Sequence, residues 1–232
     1  LDRLEQLHAW TESLFPGIPC QMTPASADAS FRRYFRLSFE DGCSRVVMDA
    51  PPTHEDCRPF LHVARLFHEA GVHVPDVYAE DLEQGFLLLS DLGSTTYLSA
   101  LTPENADRMY ADALGALACI QKASRPGILP EYDEAHLLRE MELFPVWYIA
   151  RHKKIELTEV EKNELYAVFD RILEVNLAEP KVFVHRDYHS RNLMWTSPNP
   201  GILDFQDAVY GPLTYDLASL FKDAYIHWEE ER

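Results

Sequence analysis

The sequence predicts an α+β fold in which a small antiparallel β-sheet with its helices precedes an α-rich half. Two observations carry that expectation. Before Ser90 short strand-like runs, among them the alternating run that carries Phe31, Phe35, Leu37 and Phe39, mix with helical stretches, whereas from about Pro103 apolar residues recur at helical spacing. Breaker and turn residues also fall where such elements need ends: Pro16, Gly17 and Pro19, then Asp41-Gly42, Gly71 and Asp91-Leu92-Gly93.

Taken in order, Leu4, Leu7 and Leu14 share one face of a helix that Pro16, Gly17 and Pro19 end. Phe31, Phe35, Leu37 and Phe39 line one face of an alternating run. Asp41-Gly42 supplies a turn, and a second run from Arg45 to Met48 completes a β-hairpin. A helix is expected from Pro59, a residue suited to the first helical position, to about Glu69, with Gly71 stopping it. Strands over residues 76–80 and 85–90 follow, the second carrying Phe86, Leu87, Leu88 and Leu89. Helices over residues 103–122, 133–151 and 158–178 come next, the last opening with the capping box Thr158-Glu159-Val160-Glu161. Short apolar segments, Val182-Phe183-Val184, Leu193-Met194-Trp195 and Ile202-Leu203, then interrupt the helices. The change of character divides the chain into a first lobe, residues 1–91, and a second, residues 92–232.

At 232 residues, 47% of them hydrophobic, the chain can bury a core in one large domain or two small lobes. Its 21 Lys and Arg against 38 Asp and Glu give a net charge of −17, which argues against nucleic acid as a partner. A nucleotide is still compatible, because a divalent cation and a few local donors set the field in a cleft. No apolar run reaches the roughly 18 residues of a membrane-spanning helix, and the first residues lack the pattern of a signal peptide. The expectation is a cytoplasmic protein with no membrane partner. Cys20, Cys43, Cys57 and Cys119 show no C-x-x-C pairing and read as reduced thiols. The first residue is not Met, and a helical pattern from Asp216 still runs at Arg232, so the sequence reads as a segment of a longer protein.

His185-Arg186-Asp187-Tyr188-His189-Ser190-Arg191-Asn192 fits the loop H-R-D-x-x-x-x-N, and Leu203-Asp204-Phe205 follows it. Phosphoryl transfer needs an acceptor hydroxyl aimed at the γ-phosphorus and a group that takes its proton, which a carboxylate at Asp187 supplies. Asp204 and Asn192 offer a carboxylate and an amide oxygen, hard donors suited to magnesium. Any one of these residues also reads as a turn or capping residue. Together, in this order, they point to an ATP- and magnesium-dependent phosphotransferase with Asp187, Asn192 and Asp204 as its catalytic core.

These motifs resemble the aminoglycoside phosphotransferase and choline kinase branch of the protein-kinase-like enzymes, over almost the whole chain. Three longer strings are similar to a subfamily of that branch, the bacterial anomeric kinases of N-acetylmuramate and N-acetylglucosamine. They are Ser26-Ala27-Asp28-Ala29-Ser30-Phe31-Arg32-Arg33-Tyr34-Phe35, Val47-Met48-Asp49-Ala50-Pro51-Pro52 and Asp204-Phe205-Gln206-Asp207-Ala208-Val209-Tyr210-Gly211-Pro212. The resemblance implies a protein-kinase-like two-lobe fold, with residues 1–91 covering the nucleotide and residues 92–232 supplying catalysis and substrate binding. It implies a small-molecule sugar as the substrate, phosphorylated on its anomeric hydroxyl in cell-wall sugar recycling. Aminoglycosides, or choline and ethanolamine, are the alternative acceptors. It also implies that Asp216 braces the catalytic loop, a role compatible with the helix N-cap that its position suggests.

Against a protein kinase, the chain lacks a lysine on the third strand and its partner glutamate on the next helix. Met48 or Asp49 stands at the lysine position, and residues 59–67 contain no acid. Arg32 or Arg33 is the expected replacement for holding phosphate. Strand alternation puts them on opposite faces, and Arg33 is the odd residue on the side of Phe35 and Leu37. Ser26 and Ser30 stand in for a glycine-rich loop. Backbone at Ser90, Asp91 and Leu92 is expected to meet the adenine edge, with Val47 and Leu88 as apolar walls. On the acceptor side the candidates are Glu142, Gln206 and Asp207, while the aromatic stripe over residues 141–148 reads either as core or as a stacking surface. A catalytically inactive nucleotide-binding module that regulates a partner is the competing class, and intact Asp187, Asn192 and Asp204 argue against it. No Ala-Pro-Glu segment or long activation loop lies between Asp204 and Asp216, which disfavours peptide substrates.

Overall fold

The computed structural model describes residues 2–27 and 31–229, with Ser26 and Ala27 described through their backbone alone. Packing divides the chain into two units, Leu1–Ala116 with Ser190–Asp207, and Leu117–His189 with Ala208–Arg232.

In the first unit, α1 (Arg3–Leu14) opens with a reciprocal cap in which Asp2 accepts from the Glu5 N–H and Glu5 accepts from that of Asp2. An antiparallel sheet of order β1-β2-β3-β5-β4 follows, built from β1 (Cys20–Ala27), β2 (Arg33–Phe39), β3 (Ser44–Asp49), β4 (Val77–Asp81) and β5 (Phe86–Ser90). The expected hairpin is β2 and β3, with Gly42 at φ 82 in its turn. β1 has no counterpart among the expected strands, and Pro24 and its small neighbours are unusual in one. It is tolerated because β1 is a sheet edge whose register shifts between Pro24 and Ser26. Phe31 lies outside β2, 62% exposed and stacked on His54, instead of on the strand's apolar face. Leu7 of α1 packs with Leu37, Val47, Phe86 and Leu88 to form this unit's core, flanked by Trp10, Phe15 and Phe39.

α2 (Cys57–Glu69) starts before Pro59, because Asp56 takes the N-cap position and accepts from the Arg58 N–H. Its buried face presents Phe60 and Phe67 to Phe205. A short α3 (Tyr97–Ala100) and the ribbon of β7 (Leu193–Met194) with β8 (Gly201–Ile202) complete the unit. The ribbon is tied in by Ile202 N–H to the His73 carbonyl and Trp195 N–H to that of Thr95, each at 2.8 Å.

The division between units falls inside α4 (Ala106–Lys122). In the second unit, the single helix expected over residues 133–151 is two elements: α5 (Glu134–Met141) and a π-helix over Phe144–His152. Pro145 cannot donate to the Met141 carbonyl, so the α-helical ladder stops there. The aromatic stripe on that π-helix is not core, since Phe144, Trp147 and Tyr148 are 47%, 55% and 47% exposed. α6 (Glu159–Leu177) has the expected capping box at Thr158 and Glu161. β6 (Lys181–Val184) pairs with β9 (Val209–Pro212), and α7 (Tyr215–Phe221) ends well before residue 229, so the helical pattern read from Asp216 stops early. Tyr132, Leu137, Leu173, Val184 and Val209 form this unit's core. Among the described residues no helix is long and apolar enough to cross a membrane.

Candidate functional site

Asn192 and Asp204 flank the β7–β8 ribbon, and the Leu203 N–H donates to the Asn192 carbonyl at 2.9 Å, so the two side chains emerge from one end of it. The Asn192 amide nitrogen lies 3.5 Å from Asp204 Oδ2. Asp204 has φ 62, a left-handed conformation that Asp tolerates better than most residues. The next residue, Phe205, is fully buried with its ring centre 4.9 Å from that of Phe60 and 5.9 Å from that of Phe67, which anchors the turn to α2. Gln206 Nε2 donates to Asp204 Oδ1 at 2.9 Å and to Asp207 Oδ2 at 3.0 Å. Its Oε1 is buried with no hydrogen-bond partner.

This donor set fits magnesium. No group of three or more His, Cys, Asp or Glu that could hold a metal occurs among the described residues. Magnesium does not need one, since it is usually held by one or two carboxylates, waters and the substrate's phosphates.

The two candidate arginines have different partners. Arg33 sits opposite Asp49 across β2 and β3, and both its Nε, at 2.9 Å, and its terminal nitrogen donate to Asp49 Oδ2. Arg3 of α1 takes the other oxygen through Nε at 2.8 Å, and the Asp49 side chain is 0% exposed. Arg33, one of the two expected replacements for the strand lysine, is thus paired with the buried Asp49 carboxylate. Arg32 instead is 12% exposed, with nitrogens 3.9 Å from Glu55 and 3.9 Å from Asp204 Oδ1.

The other first-unit candidates divide by burial. Val47 and Leu88 face each other across β3 and β5 and are packed in the core against Leu7. Ser90 exchanges hydrogen bonds with Asp76, its N–H donating to the Asp76 carbonyl and its Oγ accepting from the Asp76 N–H. Leu92 is buried, with Cδ1 against Gly201. Between them, Asp91 is gripped by Arg36 at 2.6 and 3.0 Å and by the Gly93 N–H. Burial alone would raise the Asp91 carboxyl, but hydrogen bonds from Arg36, Ser44 and Gly93 outweigh it and hold it below the usual range. The Ser26 side chain and Ser30 lie outside the described residues.

In the second unit Asp187 is exposed and follows Arg186, whose φ is 79. Asp216, 1% exposed, accepts from the His185 N–H at 2.7 Å and from the Arg186 N–H at 3.0 Å. It therefore braces the loop. The N-cap reading is corrected, because Thr214 holds that position on α7. Burial pushes the Asp216 carboxyl up to about 7 against the pull of those two N–H groups, with the charge of Asp187 adding to the rise. His185 Nδ1 accepts from the Asp187 N–H at 3.2 Å. Glu142, half-buried, accepts from the Tyr166 hydroxyl, whereas Asp207, a residue of the first unit, is exposed. Asp49, Glu55 and Glu140 are the acids near these groups that the sequence reading did not name as site residues.

The chain matches the phosphotransferase enzyme family over residues 21–232. It is 52% identical to an N-acetylmuramate/N-acetylglucosamine kinase of Pseudomonas aeruginosa, over 99% of this chain and 71% of that protein. A protein of the same name from Neisseria meningitidis serogroup B is 47% identical over 100% of this chain and 70% of its own length. Among solved structures, ADP-bound aminoglycoside phosphotransferase APH(2'')-Ib superposes with a TM-score of 0.70 at 15% identity, covering 97% of this chain and 78% of that one. Choline kinase LicA from Streptococcus pneumoniae gives 0.69 at 13% identity, covering 99% and 78%. With a family match over residues 21–232 and these neighbours in structure, the chain belongs to the phosphotransferase enzyme family and has the protein-kinase-like α+β fold.

Proposed function

We propose that this chain is an ATP- and magnesium-dependent kinase that phosphorylates the anomeric hydroxyl of N-acetylmuramate and N-acetylglucosamine, giving the sugar 1-phosphate. The observation that carries the reading is identity of 47–52%, over 99–100% of the chain, to relatives named as kinases of those two sugars. ATP is the cosubstrate, and the cytoplasm is the compartment that supplies it.

In this reading Asp187 orients the acceptor hydroxyl and takes its proton. The hydroxyl oxygen bonds to the γ-phosphorus as the bond from that phosphorus to the β–γ bridging oxygen breaks, and the released electron pair leaves with ADP. An anomeric hydroxyl is more acidic than an ordinary alcohol, so a carboxylate is an adequate base. Asp204 and Asn192 hold magnesium, and Gln206 keeps the Asp204 carboxylate in place through its amide. When bound, the metal neutralises charge on the phosphates.

Arg32 is the better phosphate ligand of the two arginines, since Arg33 is committed to Asp49 and Arg32 lies beside Asp204. Ser26 and Ser30 precede it and would add donors to the phosphates. The backbone of Ser90 and Leu92 meets the adenine edge, and Val47 and Leu88 support that segment from the core beneath. Glu142, Gln206 and Asp207 are the polar groups offered to the sugar. Residues 1–91 cover the nucleotide, and residues 92–232 carry catalysis and the acceptor.

The test is a panel of N-acetylmuramate, N-acetylglucosamine, aminoglycosides and choline, with phosphorus NMR of each product. Conversion of the amino sugars to 1-phosphates is expected. Phosphorylation of an aminoglycoside but of neither amino sugar, or of the 6-hydroxyl, overturns the assignment.

A further inference from the structure

The catalytic loop carries an arginine for which the reaction scheme has no task. Arg186 precedes Asp187 and has φ 79, a region that side-chain-bearing residues avoid because Cβ crowds the following carbonyl oxygen. Such a conformation persists only when its surroundings over-determine it. On the backbone side, Asp216 accepts both the His185 and the Arg186 N–H.

On the side-chain side, Arg186 donates to Glu140 Oε1 at 2.5 Å. The other oxygen of Glu140 is shared by the hydroxyls of Tyr132 and Tyr215, the latter at 3.1 Å. The two tyrosine rings meet edge to face with centres 5.2 Å apart, and the guanidinium carbon lies 5.7 Å from the ring centre of Tyr132. Burial is the main cause that pushes both tyrosine hydroxyls up, that of Tyr215 to about 12, so both stay protonated and donate.

The frame around Glu140 is rigid. Tyr132 is 1% exposed, and its N–H donates to the Tyr210 carbonyl at 2.8 Å. Gly211 lies so close that a Cβ there would stand 2.7 Å from that of Tyr132. Burial works against the charge on Arg186, and Glu140 more than offsets it.

We propose that Glu140 is a positioning residue for the phosphotransfer loop: with Tyr132 and Tyr215 it anchors the Arg186 side chain and so holds the strained backbone that presents Asp187. The proposal rests on the reading of Asp187 as the base. Its consequence is regulatory. Where a protein kinase orders its active site by pairing arginine with a phosphate added to its activation loop, here the counter-charge is built into the same unit. The loop is set on folding, with no modification needed.

The experiment uses Glu140→Ala, Glu140→Gln, Arg186→Ala and the Glu140→Ala/Arg186→Ala double variant. Hydrogen exchange over residues 183–194, without substrate, is expected to show the same loss of protection in both alanine variants and no further loss in the double. Turnover is expected to fall about tenfold to a hundredfold in each, with KM for ATP changing less than about twofold. The double variant should be no slower than Arg186→Ala. Glu140→Gln keeps the shape and an acceptor for the tyrosines, so it should fold normally and fall between wild type and Glu140→Ala.

Wild-type turnover in Glu140→Gln and Glu140→Ala overturns the proposal, as does a double variant whose loss is the product of the single losses. Unchanged exchange in every variant removes the anchor whatever the activity. Lost protection in a protein whose wild type phosphorylates no acceptor would instead overturn the functional reading and leave the anchor standing.

Discussion

Deleting the Asp49 carboxylate should destabilise the first unit by about 3 kcal/mol, taking the low end of the range for two hydrogen-bonded charge contacts. Both of its oxygens are in use, with Arg3 Nε at 2.8 Å and Arg33 Nε at 2.9 Å, and its side chain is 0% exposed. The low end is chosen because the two arginine side chains are 26% and 48% exposed and regain water when the acid is gone. Complete burial of both cations would push the cost towards the upper end. For a chain of this size each kcal/mol moves the melting temperature by roughly 2–4 °C, so Asp49→Ala should melt about 6–12 °C below wild type. Thermal melts and urea titrations at neutral pH read it. Arg33→Ala should reproduce about half of the loss and leave KM for ATP at the wild-type value, because its partner is Asp49 and not phosphate. A fall of less than about 3 °C in Asp49→Ala, or a raised KM in Arg33→Ala, would refute the reasoning.

Arg32→Ala should lower kcat/KM for ATP at least about tenfold with little change in melting temperature, and wild-type kinetics would sink its role at the phosphates. Asp187→Asn should keep magnesium-ATP binding by titration calorimetry yet lose turnover by about a hundredfold or more, whereas Asp204→Ala should lose nucleotide affinity in magnesium and much less without it. Gly85→Ala should cost more than about 2 kcal/mol in urea melts. Its φ is +69, and a Cβ would stand 2.0 Å from the Ala50 carbonyl oxygen. A near-neutral result would mean that the β3–β5 end is far softer than drawn. Asp216 gives a pH signature: with its carboxyl raised to about 7, the folded chain keeps a proton that the unfolded chain releases near pH 4. That contribution is full below about pH 4 and lost as pH rises through 7, so the stability of Asp216→Asn relative to wild type should climb over that window. A decline over the same window would contradict it.

How much was legible in the sequence depended on the range of the interaction involved. The β2–β3 hairpin follows from alternation around Asp41-Gly42, and the start of α6 from Thr158 and Glu161, because turns and caps are made between residues a few positions apart. The split between α5 and the π-helix had a local cause in Pro145 that the aromatic periodicity masked. β1 depended on its place at the sheet edge, a property of strand order that periodicity does not carry. Arg33 was an intermediate case. Folding the hairpin about its turn brings Arg33 to within a residue of Asp49, so its partner could have been found from register alone.

By itself the sequence determined the order and spacing of Asp187, Asn192 and Asp204, which fit the loop H-R-D-x-x-x-x-N and the aspartate after it, and the absence of a strand lysine. Which long-range partners the charged residues take was decided by tertiary structure. It left Arg32 beside Asp204, gave Asp49 a second cation in Arg3 of α1, and brought Glu140 from α5 to Arg186. The physical reason is that charge pairing acts through distances of a few ångströms, and packing, not separation along the chain, fixes those distances between segments far apart in sequence.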